Sequence, residues 1–201
     1  MSGMTEVSSL TGRLLVATPA LSDPNFDRAV VLLLDHDEEG SLGVVLNRPT
    51  PVDVADILEG WSELTGAPGV VFQGGPVSLD SALGVAVVPG ADPSPSSRPS
   101  SNRGDPIGWR RIHGSIGLVD LEAPPELLAA TLGSLRIFAG YAGWGPGQLE
   151  DELTEGAWYV VESEPGDVSA PDPERLWRAV LRRQRSELAM VATYPDDPSM
   201  N

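Results

Sequence analysis

Apolar residues fall along this chain in short runs punctuated by glycine and proline, a pattern that predicts many strands and few helices. Residues 13–18 (RLLVAT) form a compact apolar strand. Residues 29–34 (AVVLLL) are apolar at every position, which predicts a strand buried on both faces near the middle of a sheet. A polar turn at Asp35-His36-Asp37-Glu38-Glu39-Gly40 then leads into a hairpin partner at residues 42–46. Further strands are expected at residues 70–72, 83–88 and 157–162, and two around Gly114 between residues 107 and 121. Another apolar run, with Leu135, Ile137 and Phe138, is expected to stop in a glycine-rich turn at Gly140, Gly143, Gly145 and Gly147.

Helical spacing is rarer. Thr50-Pro51-Val52-Asp53 reads as a helix start, followed by an apolar face of Val54, Ile57, Leu58 and Trp61. A short helix is expected over residues 125–132, with Leu127, Leu128, Thr131 and Leu132 inward. A third begins after the glycine-rich turn, with Pro146 in its first turn and Gln148 and Glu152 on one face. Asp172-Pro173-Glu174 opens a fourth, carried by Leu176, Trp177, Val180 and Leu181. Asp23-Pro24 supplies turn chemistry, and the two ends of the chain, residues 1–10 and 194–201, read as frayed. Residues 89–106 hold five prolines and five serines and almost nothing apolar, which predicts a flexible surface insertion inside one domain spanning 1–201.

Composition narrows the chemistry. There is no cysteine, so disulfides, thiolate metal sites and thiol nucleophiles are excluded. No run approaches the roughly 18 apolar residues of a membrane span, and no secretory leader is visible, so a cytoplasmic protein without membrane contact is expected. A formal charge of -16 disfavours direct nucleic-acid binding, because such affinity rests on neutralising phosphates. The basic residues are all arginines, and five of the 13 (Arg175, Arg178, Arg182, Arg183 and Arg185) sit on or just after the last helix. That face lacks a helix-turn-helix partner or stacking aromatics and reads as solvated.

In chain order, Gly12-x-Leu14-Leu-Val-Ala-x-Pro19, Asp23-x-x-Phe26, His36, Gly43-Val-Val-Leu-Asn47-Arg-Pro49, Gly74-Gly-Pro-Val77, Gly140-Tyr-Ala-Gly-Trp-Gly-Pro-Gly-Gln-Leu-Glu150 and Pro173-Glu-x-x-Trp177 resemble the AlgH/YqgE family of bacterial proteins. The resemblance implies a mixed α/β (α+β) fold, in which a strongly bent, split β-sheet forms a pseudo-barrel with helices packed outside. It implies no established activity, and the family's label as a transcriptional regulator comes with no DNA-binding motif.

The glycine-rich turn before a helix invites phosphate binding, yet its spacing is neither G-x-G-x-x-G nor a P-loop, and Glu150, Asp151 and Glu152 would repel an anion. Asp35 to Glu39 with His36 could offer oxygen ligands and one imidazole to a divalent cation, but strand alternation would let no more than half converge. Ser41 follows a glycine, as do Ser115 and Ser134, without a G-x-S-x-G elbow. No catalytic residue, cofactor or metal site is therefore assigned. Asn47, Arg48, Gln73, Gly74 and Gly75 stand at strand ends, and with Trp144, Gln148 and Glu152 they are expected to form a polar rim. Its ligand would be a protein or a small polar molecule, making the chain a non-catalytic binding or adaptor protein. The competing reading of Asn47 and Gln148 is that they satisfy backbone groups in turns. Two other functions remain open at this stage. One is a hydrolase using the carboxylates and His36 with a divalent metal; the other is a regulator of transcription acting through another protein.

Overall fold

The computed structural model describes residues 10–21, 26–66, 68–89, 106–184 and 188–191. The expectations for Asp23-Pro24, for Arg185, for the interior of the 89–106 insertion and for residues 1–9 and 194–201 lie outside the described residues. Ten strands run in chain order: β1 (Leu14–Ala17), β2 (Val30–Asp37), β3 (Gly40–Val45), β4 (Pro49–Asp53), β5 (Val70–Gln73), β6 (Val77–Val87), β7 (Trp109–His113), β8 (Ile116–Val119), β9 (Ser134–Trp144) and β10 (Trp158–Val161). The helices are short: α1 (Val54–Ile57), α2 (Gln148–Thr154), α3 (Pro165–Val168), α4 (Leu176–Arg182) and α5 (Leu188–Val191). The sheet runs β10-β1-β2-β3-β9-β6-β8-β7, with β4 and β5 branching from it through β9. It is antiparallel except at β5–β9 and curls strongly into a half-barrel.

Strand β9 is the hub. It pairs with β3 at Ala142 to Trp144, with β5 at Phe138 and Ala139, and with β6 from Ser134 to Tyr141. The sequence expectation that this strand ends at the glycines is corrected here, because Gly140 and Gly143 lie inside it. The turn is only Gly145-Pro146-Gly147, and Pro146 precedes α2 rather than entering its first turn.

Both faces of β1 and β2 are covered, as the AVVLLL run requires. One face, with Leu14, Val16, Val30, Leu32, Phe72, Phe138 and Val85, packs against Leu176, Trp177, Val180 and Leu181 of α4. Those four are the residues whose spacing announced that helix. The other face, with Leu15, Ala17, Val31 and Leu33, lies against Trp144, Trp158 and Leu149 of α2. A third cluster joins Val54 and Trp61 to Trp109, Leu128 and Ile137.

Several helices are shorter than their spacing predicts. Residues expected to start the first helix form β4, an edge strand held only by β5, and the helix follows as α1 and then a 3-10 segment, Glu59–Leu64. Ile57 is exposed although its spacing placed it inward. The segment after Pro124 keeps only a 3-10 turn, Pro125–Leu127, in which Leu128 caps the end and is buried while Leu127 is exposed. Helix α3 was not foreseen: Pro165 and Gly166 hide a capping box in which Glu164 and Asp167 satisfy each other's backbone N–H groups.

Among the described residues no helix is long and apolar enough to cross a membrane. The arginine face of the last helix is partly spent inside the molecule. Arg183 grips Asp167 through two hydrogen bonds, at 2.5 and 2.7 Å, and this pairing holds its guanidinium above its ordinary pKa. Arg28 and Arg178 lie over the ring of Trp177.

Candidate functional site

The densest set of polar side chains lies where α2 covers the β2–β3 hairpin and the end of β9. Helix α2 starts from Gly147 in the left-handed region (φ 75°) with no side-chain cap. Gln148 turns back on the preceding turn, so that its Oε1 accepts the Gly145 N–H at 3.0 Å. Its Nε2 donates to Glu152 one turn on, at 3.2 Å. The other Glu152 oxygen accepts the indole N–H of Trp158 at 3.1 Å and faces that of Trp144 at 3.4 Å. The two indoles stand edge to face at 6.2 Å, and Phe26 closes the group at 6.3 and 5.5 Å. Trp144 is thus buried in the core beneath α2 rather than walling an open cleft.

His36 is placed differently from its expected turn. A bulge between Leu33 and Asp35 reverses the alternation of β2, so His36 joins Leu33 on the face that α2 covers, opposite Ser41 of β3. Ser41 Oγ lies 2.6 Å from His36 Nδ1, and Glu150 Oε1 of α2 lies 3.3 Å from His36 Nε2. His36 is buried while Glu150 is 44% exposed. Counting outward from the two-residue turn at Glu38-Glu39 pairs residue 37 with 40 and 36 with 41. That count was available in the sequence, but a reading of Asp35 to Gly40 as one turn concealed it. Among the described residues no group of three or more histidine, aspartate or glutamate side chains is arranged to hold a metal.

Asn47, Arg48, Gln73, Gly74 and Gly75 form a second group. Asn47 Oδ1 accepts the Val30 N–H at 3.0 Å and its Nδ2 donates to the Arg28 carbonyl at 2.9 Å, so the amide pins the turn before β2 to the end of β3. Arg48 donates to the Asp27 carbonyl, and its own carbonyl accepts the Gln73 N–H at 2.8 Å. Gly74 bridges two strands, donating to the Ala139 carbonyl and accepting from the Val45 N–H, both at 2.8 Å. A Cβ on Gly75 would lie 2.2 Å from the Tyr141 carbonyl carbon.

Strand β3 separates the two groups. Its Ser41 pairs with Trp144 and its Val45 is tied to Gly74, so about 13 Å of strand lies between them at the usual rise per residue. Across β9 from β3 lies a further exposed stretch, the first half of β6. From Val77 to Ser81 every residue is exposed, with Val77 at 37% and Leu79 at 52%, and a register shift between Val77 and Ala82 lifts this stretch from β9. Strand β8 pairs only with the second half of β6, from Gly84 on.

The carboxylate of Glu152 carries enough hydrogen bonds to be tested alone. Glu152→Ala is expected to cost about 1–3 kcal/mol, since two largely buried indole N–H groups lose their acceptor. Glu152→Gln, which keeps a carbonyl oxygen, should lose about half as much. Thermal unfolding followed by tryptophan emission reads both effects, with the emission of the folded state changed in the alanine variant.

Residues 14–189 match a family model, DUF179, described as AlgH-like. Among curated proteins, a UPF0301 protein of Streptomyces avermitilis is 85% identical over 201 residues, covering 100% of both chains. A UPF0301 protein of Thermobifida fusca is 47% identical, covering 96% of each. Among solved structures, a protein from Corynebacterium diphtheriae superposes with a TM-score of 0.81 at 31% identity, covering 92% of both chains. The solution structure of AlgH from Pseudomonas aeruginosa gives 0.63 at 28% identity, covering 96% of this chain and 98% of that one.

Proposed function

The chain belongs to the AlgH-like family, and on that premise we propose that it is a binding or adaptor protein of the cytoplasm that recognises another protein. The observation that carries this reading is the exposed first half of β6. A segment with Val77 and Leu79 exposed, unpaired by β8 and broken from regular strand by Ser78 at φ 50°, is the kind of surface that a partner's apolar pocket engages. Gln73 stands exposed four residues before Val77, so a polar group flanks the apolar ones. That is the usual make-up of an interface, apolar at the centre and polar at the rim. The absence of cysteine fits a reducing compartment. A role in transcription would run through the bound protein, since a net charge of -16 opposes contact with DNA.

The test is co-purification from native lysate with wild type, Leu79→Asp and Gln148→Ala at equal folded yield. Both positions are exposed, so the variants should fold as wild type does. A protein held by wild type and lost at least tenfold in Leu79→Asp supports the reading. Partners held equally by all three, or by none, overturn it.

A further inference from the structure

We propose that Ser41 is an activated nucleophile, with His36 as its general base and Glu150 as the residue that positions His36, reactive toward acyl groups of ester type. This goes beyond the binding function, which makes no use of the three side chains. A hydroxyl is a poor nucleophile until a base within hydrogen-bond reach takes its proton and a third group orients that base. All three parts are present. The Ser41 Oγ to His36 Nδ1 distance is 2.6 Å, inside the range a proton transfer needs. The Glu150 carboxylate, 3.3 Å from Nε2, favours the tautomer that carries its hydrogen on Nε2, which leaves Nδ1 to accept from the serine. The ring nitrogens are used in the opposite order to the familiar serine hydrolase triad, but the roles are the same.

The backbone makes the arrangement rigid. Ser41 is paired on one side to His36 and on the other to Trp144, so its side chain is placed by two strands at once. Gly40 before it cannot be replaced without conflict, since a Cβ there would lie 2.3 Å from the Trp144 carbonyl oxygen. Ser41 is 9% exposed and Glu150 44%, so the set lies just beneath the surface beside the exposed turn at Glu38 and Glu39.

The chemistry balances without any added reagent beyond water. Ser41 Oγ bonds to the acyl carbon while its proton passes to His36 Nδ1. As the bond to the leaving group breaks, Nδ1 returns that proton to the leaving group, giving acyl-Ser41. Water then adds to the acyl carbon, gives its proton to Nδ1, and the acid departs as Ser41 Oγ is reprotonated. Acylation and deacylation both pass through a tetrahedral oxyanion, and the loss of one backbone donor to it slows known hydrolases about 100- to 1,000-fold. With no such donor assigned to this site, both steps should be slow, and the adduct is sought after prolonged exposure to the probe.

The experiment treats the full chain with a fluorophosphonate probe, locates the adduct by peptide mass spectrometry and measures its rate of formation. Labelling of wild type at Ser41, none in Ser41→Ala, and a rate at least tenfold lower in His36→Gln and in Glu150→Gln support the proposal. Glu150→Gln is a surface change that leaves the fold intact, so its thermal midpoint should stay at the wild-type value while labelling slows; a purely structural glutamate would leave the labelling rate alone. Absence of any adduct at Ser41, or labelling of Ser41 at equal rates in wild type and Glu150→Gln, overturns it.

Discussion

Phe72→Ala is expected to lower the free energy of unfolding by about 3–5 kcal/mol, a large share of the roughly 5–15 kcal/mol that holds an ordinary domain together. Phe72 is fully buried and sits opposite Phe138 in the parallel β5–β9 pair, ring centroids 5.9 Å apart. The guanidinium of Arg136, itself buried, lies 4.3 Å above its ring. Burial pushes that guanidinium down to about 10. Removing the ring opens a cavity between two strands and withdraws a cation–π partner from a buried charge. Arg136 keeps its hydrogen bond to the Ala170 carbonyl, 2.9 Å, so the guanidinium should stay in place and the loss should appear as stability rather than rearrangement. Urea titration would show a lower midpoint at an unchanged slope. Phe72→Leu, which refills most of the space, should lose about 1–2 kcal/mol.

Gly140→Ala should be comparably damaging, at about 3–5 kcal/mol, for a reason that has nothing to do with lost contacts. The residue combines φ +73° with a crowded position: a Cβ would lie 2.6 Å from the Gly75 carbonyl oxygen and 2.8 Å from that of Val77. Both obstacles are backbone atoms, so no rotamer change relieves them, and the connection between β5 and β6 would have to lift from β9. Gly147→Ala is the matched control, with φ +75° and nothing within 4 Å. It should lose only the conformational term, about 1 kcal/mol. For a chain of this size the two variants are expected to differ in thermal midpoint by about 5–12 °C, read by calorimetry.

The same glycine shows how far the fold was legible in the sequence. Strands with continuous apolar runs were readable because burial on both faces leaves no ambiguity of period, and β1, β2 and β3 lie where the runs are. The last helix was readable because Leu176, Trp177, Val180 and Leu181 face one core. Gly140 was misread as a stop because a glycine signals either a turn or a close backbone approach, and only the position of β5 and β6 decides between them. Residues 49–53 were misread because β4 is almost wholly exposed and owes its form to pairing with β5, which leaves no local pattern.

For the candidate site the obstacle was the bulge. Alternation does hold here, with His36 buried between exposed Asp35 and Asp37, and the extra residue at Leu33 to Asp35 decides which face His36 takes. No feature of the AVVLLLDH run announces that residue. For Asn47 and Gln148 the legible part was the backbone-satisfying role, since each makes a hydrogen bond to a backbone group.

Strand order also bears on how the protein is made. Strand β9, which joins β3, β5 and β6, is synthesised only after all three, and β1 waits for β10, its partner across Leu14 and Val161. Until β9 emerges, β1–β2–β3, β4–β5 and β6–β8–β7 can pair only as separate groups, with apolar faces and open edges. Topologies dominated by such distant pairings fold slowly and stay vulnerable to aggregation while incomplete. A nascent chain halted before residue 134 would hold the β2–β3 hairpin but neither closed face of the sheet, which makes it a natural client for chaperones that bind exposed hydrophobic strands.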